Sequence, residues 1–250
     1  MYVYKIPKKM TLYNSEGQMV EEDQWKWDFT NKTFERTINK NSGYSDSVKY
    51  SFVFNNDRIT DIFYGDDTHY TFSYDSNNRL IKSTKGTTEF ITTFSNDYKY
   101  QTTVENYETY SKTREINYDD NGNIVKMIDS DNIFDAEYDK YNNTIKYVEN
   151  DKVIFEKQNI KYDINDNIIY YDGGDAESNV TLQYDEDYPV TITFSDGYGG
   201  FQSLEIEYTN ITKEEYEAVL ELRWSPFNFP YTVNQMTTEY LYDFLKPVNK

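Results

Sequence analysis

Cysteine is absent from this chain, which excludes a disulfide framework, a thiolate zinc site and a cysteine nucleophile. Histidine is nearly absent too. His69 stands alone, and one imidazole defines neither a multi-histidine metal centre nor a Ser-His-Asp triad. No apolar run approaches the ~18 residues of a membrane-spanning helix. Met1-Tyr2-Val3-Tyr4-Lys5-Ile6-Pro7-Lys8-Lys9 lacks the apolar core of a signal peptide. Phosphate loops and dinucleotide fingerprints are missing as well. Asp196-Gly197-Tyr198-Gly199-Gly200 has the glycines of a turn or bulge, but no helical pattern follows. Positive charge is short: 25 Lys and Arg against 44 Asp and Glu leave a formal charge of −19. That balance argues against nucleic acid and anionic membrane surfaces as partners. Its simplest consequence is solubility through self-repulsion.

Aromatic residues are plentiful instead, at 18%, with 27 Tyr and 15 Phe. Such a load suits β-structure built on amphipathic aromatic faces and is foreign to disordered chains. The organising stretch runs from Arg114 to Ile128. Ile116 and Tyr118 share one face of a strand, because side chains alternate with period two. Asp119-Asp120-Asn121-Gly122-Asn123 is a run of turn formers in which Gly122 tolerates positive φ. Ile124 and Val125, both β-branched, restart an extended segment. The unit reads as a hairpin.

Weaker copies recur. Aromatic residues precede comparable turns at Tyr13, Phe54, Tyr74, Phe94, Tyr118, Tyr138, Tyr162, Tyr184 and Tyr208, and from Phe54 onward the gaps are 20, 20, 24, 20, 24, 22 and 24 residues. The 41-residue gap from Tyr13 to Phe54 spans about two periods, as if one copy had lost its signature. A steady period of this length defines a repeat architecture. Each unit supplies about two strands, so the array amounts to roughly sixteen. The expected fold is all-β: an antiparallel up-and-down meander of repeated hairpins, forming a large curled sheet or barrel, with one or two short C-terminal helices. One domain is expected over 1–250, with irregular N-terminal strands over 1–49, hairpin repeats over 50–208 and a helical cap over 209–250. In the cap, Thr212 and Glu215 match a capping box ahead of a helix over Lys213 to Leu222. Ser225 to Pro230 reads as a proline-punctuated loop, and Thr238 to Leu245 as a second short helix.

Candidate chemistry is thin. Trp25, Trp27 and Phe29 alternate with Lys26 and Asp28, so the rings share a face. They read either as a core face or as an aromatic platform for a sugar or peptide. Asp119, Asn121 and Asn123 place oxygens at alternate positions, as do Asp163, Asn165 and Asn167. A calcium loop of the EF-hand kind would need Gly where Ile124 and Ile168 stand, so turn chemistry accounts for these residues. Asp172-Gly173-Gly174-Asp175-Ala176-Glu177 is a second candidate for a cation, set against the commoner reading of a solvated loop, and His69 reads as a polar residue at a strand end near the turn holding Asp66 and Asp67. No pair among the acids is singled out for glycosidase work.

The units Tyr74-Asp75-Ser76-Asn77-Asn78-Arg79-Leu80-Ile81 and Tyr118-Asp119-Asp120-Asn121-Gly122-Asn123-Ile124 resemble YD-type repeats. Together with Ile6-Pro7-Lys8-Lys9-Met10-Thr11-Leu12-Tyr13 and Ile206-Glu207-Tyr208-Thr209-Asn210-Ile211, they resemble a group of secreted lipoproteins from Bacteroides-type gut bacteria. Those proteins carry a domain of unknown function described as a porin-like β-barrel or half-barrel. The resemblance covers most of the chain. It implies a β-meander and a cell-envelope or extracellular location, with a lipid-bearing segment that is not part of the present sequence. Two features depart from the group: glycine is scarce in these turns, and no lipid-attachment cysteine is present. The combined expectation is a non-enzymatic envelope protein that binds a glycan or protein ligand or acts as a scaffold, with no cofactor and no metal. The alternative is a carbohydrate-active hydrolase using paired carboxylates at a barrel mouth.

Overall fold

The computed structural model describes residues 4–65, 68–130, 132–141, 143–173, 179–186, 188–198 and 201–222. Among them are nineteen strands and one helix. In chain order the strands are β1 (Tyr4–Tyr13), β2 (Met19–Asp28), β3 (Thr33–Lys40), β4 (Ser45–Asn55), β5 (Arg58–Tyr64), β6 (Thr68–Tyr74), β7 (Leu80–Lys85), β8 (Thr88–Phe94), β9 (Tyr100–Asn106) and β10 (Ser111–Tyr118). They continue as β11 (Ile124–Asp129), β12 (Asn132–Tyr138), β13 (Thr144–Glu149), β14 (Lys152–Glu156), β15 (Gln158–Tyr162), β16 (Ile168–Asp172), β17 (Asn179–Asp185), β18 (Tyr188–Tyr198) and β19 (Phe201–Ile211). Helix α1 follows at Lys213–Leu222. The fold is all-β, antiparallel and up-and-down. The proposed loop at Ser225–Pro230 and second helix at Thr238–Leu245 lie outside the described residues.

The count exceeds sixteen because the N-terminal strands, expected at Lys8 to Tyr13, Gln18 to Phe29 and Thr33 to Lys40, add β1, β2 and β3 to the array, and they form a regular ladder. Phe34 faces Trp27 across β2 and β3, and Thr33 faces Asp28.

The chain divides into two compact units. The first comprises residues 1–50 and 157–216 among those described. Here β15 to β19 run as a meander, β19 pairs with β1, and β1 pairs with β2. The first strand therefore lies between the second and the last, and neither of its edges is bare. Leu12, Leu204 and Ile192 sit opposite one another on β1, β19 and β18 and are all buried. Met10 and Ile206 extend the same apolar row. Pro7, which has no N–H to give the ladder, falls where the β1–β19 register slips.

The second unit comprises residues 51–156 and 217–222 among those described. From the second half of β4 to β14, each strand pairs with the next. Phe52, Ile62 and Tyr70 stand side by side on β4, β5 and β6 and form one buried row.

The repeating turn has one recurrent design. At Asp75, Asp119, Asp139 and Asp163, one carboxylate oxygen accepts the backbone N–H groups two and four residues on, at 2.8–3.0 Å. In the last three, the closing asparagine returns its amide to the other oxygen. The fourth turn residue takes the left-handed region where it is described: Asn78 at φ 62°, Gly122 at 80° and Asp166 at 68°. Asn14 builds the same turn with its amide oxygen, with Gly17 at φ 73°. The aromatic residue before the turn ties its unit to the strand before it. Tyr74 donates its hydroxyl to the Ile59 carbonyl at 2.6 Å, Tyr138 to that of Ile124 at 2.8 Å and Tyr208 to that of Pro189 at 2.8 Å.

Helix α1 starts as its capping box requires. The Thr212 hydroxyl accepts the Glu215 N–H at 3.2 Å, and the Glu215 carboxylate accepts the Thr212 N–H at 2.8 Å.

Candidate functional site

Strand β2 carries the residues singled out by sequence, and the three rings part company there. Trp25 is buried at 2% exposure and faces Arg36 on β3. Trp27 is half-buried and lies opposite Phe34, its ring centroid 4.4 Å from that of Phe34. Phe29 stands one residue beyond the end of β2 and is half-buried. It stacks on Trp27 at 5.6 Å with 14° between the planes. Phe34 in turn stacks on Tyr50 at 5.8 Å. The result is a file of rings with Trp27 and Phe29 at its outer end.

The turn that presents Phe29 is held by Asp28. Its two carboxylate oxygens accept the Asn31 amide N–H and the Asn31 side chain, each at 2.8 Å. Those donors hold the Asp28 carboxyl below the usual carboxylate range. Lys32 takes φ 54° and completes the turn. The aromatic tip is thus anchored on both sides of Phe29.

Behind Trp25, on the same face of β2, stand Asp23 and Glu21. Both are buried, Asp23 at 2% exposure. Glu21 is paired with Lys40 at 2.8 Å. Asp23 has only the Arg36 guanidinium, 3.6 Å away, and neither of its oxygens accepts a hydrogen bond. Burial pushes its carboxyl up to about 6, against the pull of Arg36. Alternation along the strand would have put Asp23 and Glu21 on the Trp25 face. Their burial could not be read, because it depends on β1 and β3 packing at their flanks.

The second unit has its own buried polar group. Gln101, Thr103 and Glu105 alternate along β9 and are all buried. Glu105 meets Lys112 and Arg114 of β10, each at 3.1 Å, and accepts the Tyr107 hydroxyl at 3.0 Å. The same two cations reach Asp129 of β11 at 3.3 and 2.9 Å. Burial alone would raise the Asp129 carboxyl, but Arg114 and Lys112 outweigh it and hold it low. Two acids and two bases close on each other, although the Glu105 Oε1 that faces Arg114 accepts no hydrogen bond and is held by charge alone.

The remaining candidates resolve locally. Asp119 and Asp163 spend both carboxylate oxygens on their own turns, so the oxygens that suggested calcium are engaged by N–H donors. His69 lies on β6, stacked on Phe63 at 4.3 Å, with Nε2 2.9 Å from an Asp61 oxygen. Asp66, Asp67 and residues 174–178 lie outside the described residues, as do 199–200 of the glycine-rich stretch. Among the described residues no group of three or more metal-ligating side chains comes together. No described helix is long and apolar enough to cross a membrane.

No family model matches the sequence, and no curated protein matches it. Solved structures give distant likenesses. A porin-like protein from Bacteroides uniformis is 9% identical over 82% of this chain and 98% of its own length, with a TM-score of 0.36. The TcdB2-TccC3-TEV structure is 10% identical over 80% of this chain but only 15% of its own, with a TM-score of 0.33. Neither likeness is close enough to extend to function.

Proposed function

We propose that the protein is a non-enzymatic binding protein of the cell envelope that takes a glycan on the Trp27–Phe29 ledge. The observation that carries this reading is the pair of half-exposed, near-parallel rings on a turn fixed by Asp28. Flat aromatic faces match the C–H faces of a sugar ring, and a preorganised tip loses little freedom on binding. Trp25, buried at 2% exposure, belongs to the core face rather than to the ledge. The resemblance of the hairpin units to envelope lipoproteins supports the location. The hydrolase alternative needs two carboxylates that a substrate can touch. On β2, Glu21 and Asp23 are instead enclosed, and Glu21 is held by Lys40.

A glycan array with the purified protein, followed by calorimetry on Trp27→Ala and Phe29→Ala, tests this reading. Each substitution is expected to weaken binding about three- to tenfold, the scale of one aromatic contact, while leaving the fold intact. Silence across the array, together with measurable glycoside hydrolysis, would reverse the assignment.

A further inference from the structure

Asp23 is the one acid of the β1–β2–β3 sheet for which the fold supplies so little. At 2% exposure it has exchanged water for a site in which neither oxygen accepts a hydrogen bond. Leaving a buried charge so poorly matched is costly. The groups facing it are few. On its own strand, Glu21 stands two residues away, a second negative charge on the same face. From β3, Ile38 lies directly opposite, with Arg36 and Lys40 to either side. From β1, Met10 lies opposite Asp23 and Leu12 opposite Glu21, and neither carries charge. Lys40 is committed to Glu21 at 2.8 Å. Arg36, at 3.6 Å, is too far for a hydrogen bond.

We propose that Asp23 is a proton-operated latch: the neutral acid lets β2 seat fully between β1 and β3, and losing the proton loosens that seat. A neutral carboxyl has no charge to desolvate and no quarrel with Glu21. Ionisation puts two negative charges on one enclosed face, where Lys40 is held by Glu21 and Arg36 stands 3.6 Å from Asp23 without a hydrogen bond. The latch is independent of the glycan ledge, which lies further along β2.

The sign follows from linkage. The folded-state carboxyl is raised to about 6, above its ordinary value near ~4. The folded chain therefore binds more protons than the unfolded chain between those limits. Stability falls as pH rises through that window, and the loss is complete above it. Asp23 alone should raise the folding equilibrium constant about tenfold between pH 8 and pH 5.

Urea unfolding of the wild type and of Asp23→Asn at pH 5 and pH 8 tests the latch. Asn has the shape of the neutral acid and no charge. The wild type is expected to gain about tenfold more than the variant on acidification, so that the difference cancels the background from the other acids. Equal pH dependence in the two proteins overturns the proposal. Should the variant fail to fold, carbon-detected titration of the wild-type carboxyls decides. A midpoint for Asp23 near 6, with protection factors at Asp23 and Gln24 that fall above it once the base-catalysed intrinsic rate is divided out, supports the latch. A midpoint near the ordinary carboxylate value, or protection factors indifferent to pH, sinks it.

Discussion

A carboxylate at 1% exposure, as Glu105 is, persists only where cations stand against it. Lys112 and Arg114 do so, with the Tyr107 hydroxyl as a further donor. Removing the acid alone would strand those donors on an enclosed face. Glu105→Ala is therefore expected to lose about 3–5 kcal/mol in urea unfolding, as broken buried pairs do. Removing acid and base together should cost less than the sum, because neither partner is left stranded. None of this was legible in the chain. Glu105, Lys112 and Asp129 come from three strands, and only the register brings them together. The same holds for Asp23. By contrast, the Trp25–Trp27–Phe29 alternation was visible. The enclosure of Trp25 and the partial exposure of the other two were not, because burial depends on which neighbouring strand covers which position.

Turns were the most legible elements, since their chemistry is local. An Asp followed four residues later by an Asn is enough to satisfy the backbone around a left-handed fourth residue, and the sequence prints both. Gly122 shows how much of this is backbone. An added Cβ would meet nothing within 4 Å, yet φ is 80°. Gly122→Ala is therefore expected to destabilise by about 1 kcal/mol from conformational strain alone. Gly122→Asn should be close to neutral, since Asn78 holds the equivalent place at φ 62°. Chemical denaturation of the two variants separates strain from packing. Helix α1 was legible for the same reason, its first turn being capped by residues three apart. The strands of the first fifty residues were legible at Lys8 to Tyr13, Gln18 to Phe29 and Thr33 to Lys40; their regularity was not, because not all of their turns share the aromatic-Asp signature. Gly43 closes one of them at φ 84° with backbone bonds alone.

At the scale of the molecule, strand order followed from sequence because neighbours in an up-and-down meander pair in turn. The pairing of first strand with last did not, since no local signal marks it. Deleting β1 would bare the edges of both β2 and β19, and bare edges recruit other chains. A chain lacking residues 1–13 is expected to elute as aggregates in size-exclusion chromatography and to unfold without a single sharp transition. A monodisperse, cooperative product would mean that this join is dispensable.

The tyrosine ties have an evolutionary corollary. The hydroxyls of Tyr74, Tyr138 and Tyr208 each bond the strand immediately before their own, and each Asp turn bonds within itself. A duplicated stretch of one period would therefore carry these turn and tyrosine fastenings with it. Such a lineage can change size by whole hairpins, through slippage in the gene, without inventing a new fold at each step.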